Sequence, residues 1–162
     1  GFVRWQKGEK PDASDSMAVQ VAGEHHWPEL RALVLVASAA KKKVSSTDGM
    51  QNSVATSPLL AHRAEHVVPE RLSKIETAYL AKDFATFGDL TMADSNQFHA
   101  TCLDSYPPIF YLNDGSRDVI RVVHVSTLAI LKLLVISRSF LRDFSCLQAY
   151  NEQKGEVVAV SP

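Results

Sequence analysis

One stretch of the sequence has the residue types and spacing to hold an anion: Lys41-Lys-Lys-Val-Ser-Ser-Thr-Asp-Gly-Met50. Three lysines are followed by the hydroxyls of Ser45, Ser46 and Thr47 and the carboxylate of Asp48. These are the residue types that cap a helix start, where backbone N–H groups and the positive end of the helix dipole also attract a negative ligand. The stretch reads either as a phosphate site or as an ordinary cap beside a solvated lysine cluster.

Two further groups compete with it. His62-Arg-Ala-Glu65-His66 has the H-x-x-E-H spacing of inverted zinc peptidases, in which two histidines one helical turn apart bind zinc and the glutamate activates water. No downstream helix offers a third carboxylate ligand, so a charged helix surface is the plainer reading. Asp94-Ser-Asn-Gln-Phe-His99 carries polar groups one turn apart that either line a cleft or are solvated around a core Phe98. His99 and Cys102 share a face, but the motifs of cysteine-protease chemistry are absent, as are a Gly-x-Gly-x-x-Gly loop and a Walker lysine loop. The adjacent His25 and His26 read as exposed loop residues rather than metal ligands.

The elements that must position these groups follow from pattern. Phe2 and Trp5, then Met17, Val19 and Val21, fit two short strands around polar turn residues, a hairpin-like opening. Gly23 to Pro28 is a breaker-rich connection and a candidate domain boundary. The aliphatic run Leu30 to Ser38 predicts a buried strand, and Met50 to Thr56 a helix. Ser57-Pro58 predicts a capped helix start, with a kink or restart at Pro69 and Val68, Leu72, Ile75 and Tyr79 on one face. A second long helix is expected from about Asp83 to Leu103, with Phe84, Phe87, Leu90, Phe98 and Cys102 in the core, ended by Tyr106-Pro-Pro108. Asn113 to Ser116 reads as a turn and Val119 to Val123 as the start of a third helix. Strands followed by helices predict an α+β domain.

Composition sets bounds on partners. With 46% hydrophobic residues among 162, the chain has enough apolar material for a core. A net charge of -1 supplies no overall field for nucleic acid or an anionic membrane, so the lysines act only locally. The run Val125 to Ile136 is interrupted by Lys132 and is too short to span a bilayer, so neither nucleic acid nor membrane is expected as a partner. Cys102 and Cys146 make neither a disulfide framework nor a metal spacing and read as reduced intracellular thiols. Gly1-Phe-Val-Arg-Trp-Gln reads as a strand already under way, as in a fragment.

Read as a string, the chain carries more. Gly1-Phe-Val-Arg-Trp5, Asp15 to Val21, Trp27-Pro28, Lys41 to Met50, Val54 to Pro58, Glu65 to Pro69, Met92 to Asp104 and Pro107-Pro108 together closely resemble the fungal diphosphomevalonate decarboxylases, within the GHMP kinase superfamily. The resemblance runs from Gly1 to about His124. It implies a GHMP-kinase-type C-terminal domain, a ferredoxin-like sheet with helices, here incomplete. It also implies a parent enzyme that uses ATP and Mg²⁺ to phosphorylate the tertiary hydroxyl of mevalonate 5-diphosphate. Loss of phosphate and carbon dioxide then gives isopentenyl diphosphate, for isoprenoid and sterol synthesis. A cytosolic (cytoplasmic) homodimer is the implied setting. The family's substrate-phosphate role carries over onto Ser46 and Thr47, in agreement with the anion site read from the residues themselves.

The resemblance also marks what is missing. The family's Tyr-Trp-Gly-Lys, nucleotide-loop and Ser-Ala-Cys-Arg segments would precede Gly1. Its Asp-Ala-Gly-Pro-Asn segment, with the catalytic aspartate, does not follow Ala159. No catalytic residue is therefore named, and the chain alone is expected to be inactive; a non-catalytic phosphate-binding fragment is the alternative to set beside the zinc peptidase. The expected organisation is the end of an N-terminal domain at 1–27, the C-terminal domain at 28–124, an aberrant apolar insert at 125–148 and a truncated return at 149–162. Both departures, at Val125 and Val160, begin with Val-Ser, which GTAAGT would encode, and the first ends at Gln148, which CAG would encode. Retained introns are the expected source. The apolar runs of the insert then need a burial that the family's fold does not provide.

Overall fold

The computed structural model describes residues 1–10, 12, 14–35, 43–125 and 134–137. β1 (Phe2–Gln6) and β2 (Met17–Ala22) pair antiparallel, from Phe2 opposite Ala22 to Gln6 opposite Met17. The hairpin expected from the alternating pattern is present. In its connection the Asp15 carboxylate accepts the N–H groups of Glu9 and Lys10 at 2.9 and 3.2 Å, which pulls its pKa below the ordinary carboxylate range. The second sheet is β3 (Ala32–Leu35) with β4 (Leu134–Ser137), paired parallel from Ala32 opposite Leu134 to Leu35 opposite Ser137. β4 lies inside residues 125–148, so part of that run takes its backbone partner from β3. Residues 126–133 and 138–148 of that run, which include Cys146, the return at 149–162, and Lys41 and Lys42 lie outside the described residues.

The helices follow. α1 (Ser46–Thr56) begins four residues before the expected Met50, because Ser45 caps it. α2 (Pro58–His62) is capped by Ser57, whose Oγ accepts the Leu60 N–H, with Pro58 in the first turn where its missing N–H costs nothing. The restart expected at Pro69 is present, with a new helix beginning at Val68 and Pro69 in its first turn. A π-helical turn, Arg63–Val67, joins α2 to α3 (Val68–Leu80) and supplies the wider turn just ahead of a proline that lacks a backbone donor. On α3, Val68 and Ile75 are half-buried and Tyr79 is buried, but Leu72 is 37% exposed. Arg71 turns inward instead, toward a carboxylate on the next helix.

α3 ends with Lys82 at φ 55°, the Lys82 N–H bonding the Tyr79 carbonyl and the Asp83 N–H the Ala78 carbonyl. This is a left-handed helix stop with a lysine where glycine is usual. Asp83 then caps α4 (Phe84–Asp104), accepting from the Thr86 N–H at 3.1 Å, so the helix expected from Asp83 to Leu103 is present within one residue. Asn113 proves to be a cap rather than a free turn. Its Oδ1 accepts the Ser116 N–H at 2.8 Å, and α5 (Asp114–Val125) starts five residues before Val119.

Two junctions hold the helices. Trp27 is buried among Tyr79, Phe84 and Phe87, with ring centroids 5.7, 6.4 and 5.7 Å away, and Phe2 lies 3.9 Å from Tyr79. His26 is half-buried, not exposed as expected, because its ring packs on Tyr79 and its Nε2 lies 3.3 Å from the Tyr79 carbonyl. Arg4 pairs with Glu76 at 2.9 Å and ties the hairpin to α3. The other junction, between α1 and the end of α4, is polar and lies behind the candidate site.

Candidate functional site

Ser45 organises the start of α1. Its Oγ accepts the Asp48 N–H at 3.1 Å and donates to Asp48 Oδ2 at 2.7 Å, so the cap hydroxyl and the first-turn carboxylate engage each other. Ser46 and Thr47 are the first two helical residues, Ser46 half-buried and Thr47 exposed. Consecutive residues lie about 100° apart around a helix, so their hydroxyls leave the first turn in different directions. Lys43 is exposed two residues before the cap. Ser45, Ser46, Thr47 and Asp48 are thus together at the positive end of an eleven-residue helix. The arrangement can offer hydroxyl and backbone donors to an anion, with the Asp48 charge already turned toward Ser45.

Beneath this turn α1 is anchored on the end of α4 and the segment after it. Tyr111 donates its hydroxyl to the Ser45 carbonyl at 3.3 Å. About two turns on, Asn52 donates to the Pro107 carbonyl at 3.1 Å, and Ser53 and Ser105 share a buried Oγ–Oγ bond of 2.7 Å. At the far end, Asp104 Oδ2 accepts the Ser57 hydroxyl at 2.7 Å and the Leu59 N–H at 3.1 Å. The sequence marks Ser57 as a helix cap and Pro107 as part of a helix stop, but none of these pairings across the chain. A serine and a glycine inside α1, Ser53 and Gly49, were the available signal, since both are poor helix formers that need a packing reason to be there.

The other groups resolve differently. Asp94 sits between two guanidiniums, Arg63 Nη2 at 2.8 Å and Arg71 Nη1 at 2.9 Å, and Gln97 Oε1 accepts from Arg71 at 3.0 Å. These residues of the Asp94–His99 run tie α3 and the π turn to α4. His99 is buried, which pushes its pKa down to about 4, and burial raises the Cys102 thiol to about 11. At neutral pH the pair is imidazole and thiol, neither charged, which is no basis for thiolate chemistry. His62 and His66 are exposed with ring centroids 4.7 Å apart, and Glu65 is exposed beside His66 at 3.7 Å. Among the described residues no three His, Cys, Asp or Glu side chains converge on a point that a metal ion would occupy. No helix among them is long and apolar enough to cross a membrane.

Comparison with known proteins gives these features a context. A sequence profile of the mevalonate 5-diphosphate decarboxylase C-terminal domain matches residues 32–132. The chain is 55% identical over 159 residues to diphosphomevalonate decarboxylase mvd1 of Aspergillus fumigatus, covering 98% of this chain and 39% of that relative. It is 60% identical over 124 residues to diphosphomevalonate decarboxylase of Rattus norvegicus, covering 76% of this chain and 31% of the relative. A crystal structure of mevalonate 5-diphosphate decarboxylase superposes with a TM-score of 0.68 at 51% identity, over 76% of this chain and 32% of the other. The chain therefore spans less than two fifths of the length of these curated relatives. The resemblance read from the sequence and the α+β fold expected from it are both borne out. These relatives are decarboxylases, and the zinc-peptidase alternative draws no support from them.

Proposed function

Because this chain belongs to the mevalonate 5-diphosphate decarboxylase C-terminal domain family, we propose that it is the part of an ATP-dependent decarboxylase that receives the diphosphate of mevalonate 5-diphosphate. The observation that carries the reading is the position of Ser46 and Thr47 in the first turn of α1, inside the matched residues 32–132. In this reading, the two hydroxyls and the helix start bind the diphosphate, remote from the carbon that reacts. Binding energy there is used to orient the tertiary hydroxyl and the carboxylate for phosphorylation and loss of carbon dioxide, giving isopentenyl diphosphate. No residue of the chain is assigned to the chemical step.

ATP and Mg²⁺ belong to the same proposal, as co-substrate and its counter-ion. The described residues hold no cluster of carboxylates suited to a divalent cation, so none is assigned to Mg²⁺ and no step is routed through it. A homodimeric, cytosolic setting comes with the family reading and is proposed with it.

The test is calorimetric titration of the 162-residue chain with mevalonate 5-diphosphate. Binding is expected, and Ser46→Ala with Thr47→Ala is expected to weaken it by on the order of 1 to 3 kcal/mol through lost hydrogen bonds. Absence of binding, or unchanged affinity in the double variant, would return the start of α1 to the role of a plain helix cap.

A further inference from the structure

We propose that Tyr111 is a positioning residue for the substrate diphosphate, holding the Ser45 carbonyl through its phenolic hydroxyl and thereby orienting the first turn of α1. The proposal rests on the reading of Ser46 and Thr47 as diphosphate ligands. The Ser45 carbonyl accepts two hydrogen bonds, from the Gly49 N–H within the helix at 2.9 Å and from the Tyr111 hydroxyl at 3.3 Å. The second bond comes from a residue 66 positions away and joins α1 to the segment after α4. The peptide unit is planar and trans, so the direction of the Ser45 carbonyl sets the direction of the Ser46 N–H on the opposite side. Fixing one end of that plane fixes the donor that Ser46 presents at the helix start.

The packing around the hydroxyl shows that its place is built. Gly49 is buried, and a Cβ added there would meet the Tyr111 Oη at 2.3 Å, with the Tyr111 Cζ at 3.5 Å and Ile109 Cδ1 at 3.6 Å. The oxygen thus occupies the space that any other residue at position 49 would claim. Its base is firm as well, since Ile109 is buried and its N–H donates to the Cys102 carbonyl at 2.9 Å. Burial, with Cys102 and Asp48 nearby, raises the Tyr111 pKa above its ordinary 10, which keeps the phenol a donor. The Asn52 and Ser53 bonds anchor α1 about two turns further on, so of these three bonds the Tyr111 one lies nearest the diphosphate ligands.

Titration with mevalonate 5-diphosphate, paired with thermal melting, tests this on the full chain as Tyr111→Phe, Gly49→Ala, their combination, and Ser46→Ala with Thr47→Ala. Tyr111→Phe keeps the ring and removes the bond. It should melt within about 2 °C of the parent and bind about threefold to tenfold more weakly. Gly49→Ala should melt lower, because Cβ and hydroxyl collide. The combination should melt close to Tyr111→Phe, since the remaining neighbours sit at ordinary contact distance, and should still bind weakly. A hydroxyl with a structural role alone would move the melting temperature without the affinity. Parent affinity in Tyr111→Phe, alongside weakened binding in the Ser46 and Thr47 variant, overturns the positioning role and leaves the diphosphate reading standing. Parent affinity in the Ser46 and Thr47 variant, or no binding by the parent chain, removes the reading and the inference together.

Discussion

The two junctions of this chain hold their helices by opposite means. Around Trp27 the contacts are ring against ring, between Phe2, Tyr79, Phe84 and Phe87, and apolar contact has little directional demand. Around α1 the contacts are hydrogen bonds between named atoms: Tyr111 to Ser45, Asn52 to Pro107, Ser53 to Ser105 and Ser57 to Asp104. A hydrogen bond weakens steeply off its axis, so a polar junction specifies the rotation and height of a helix more closely than an apolar one. The polar junction lies behind the candidate diphosphate turn and the apolar one lies away from it. Stability is concentrated at the first junction and position at the second.

That division can be broken most forcefully at Trp27. Trp27→Ala should lose about 3 to 5 kcal/mol of unfolding free energy, measured by denaturant titration. The fraction that stays folded should bind mevalonate 5-diphosphate as the parent does. Lost affinity in fully folded Trp27→Ala protein would show that the two junctions are not separable.

His99, on α4 between the two, offers a pH test. Its folded pKa of about 4 lies below its ordinary 6.5, so between these values the unfolded chain takes up a proton that the folded chain refuses. The contribution is therefore complete above about pH 6.5 and lost as pH falls toward 4, by up to about 3 kcal/mol. Unfolding free energies of the parent and of His99→Gln across that range check it. The variant should show a shallower fall, and equal slopes would remove His99 as the cause.

Ser105→Ala probes the polar junction itself. It leaves the Ser53 hydroxyl buried without its 2.7 Å partner and should cost about 1 to 2 kcal/mol. Ser53→Ala combined with Ser105→Ala should cost less than the sum of the single changes, since the pair acts as a unit. Strict additivity in the double-variant cycle would mean that the bond carries no coupling. The smallest effect is expected beside the apolar junction. Lys82→Gly relieves the left-handed backbone at φ 55° and should raise stability by about 0.5 to 1 kcal/mol. A loss would show that the lysine side chain has a packing role.

What the sequence by itself determined was local. Ser57 before Pro58, Asp83 before Phe84 and the hydroxyl run at 45–47 announce helix starts, because a cap bonds the backbone two or three residues on. The hairpin was readable from alternation, and the family from the continuous string of motifs, which is how Ser46 and Thr47 came to be singled out. Even locally, Asn113 reads from the sequence as a turn, since the same side-chain acceptor serves a turn and a helix cap alike. Only the tertiary structure decided what lies across the chain. The bonds of Ser53 to Ser105, Ser57 to Asp104 and Tyr111 to Ser45 join residues 52, 47 and 66 positions apart. A serine or tyrosine carries no mark of its distant partner, and the inward turn of Arg71 in place of Leu72 depends on Asp94 arriving from another helix. Periodicity specifies which residues share a face. Which atoms meet across two faces is settled by packing, and that is where the turn bearing Ser46 and Thr47 receives its orientation.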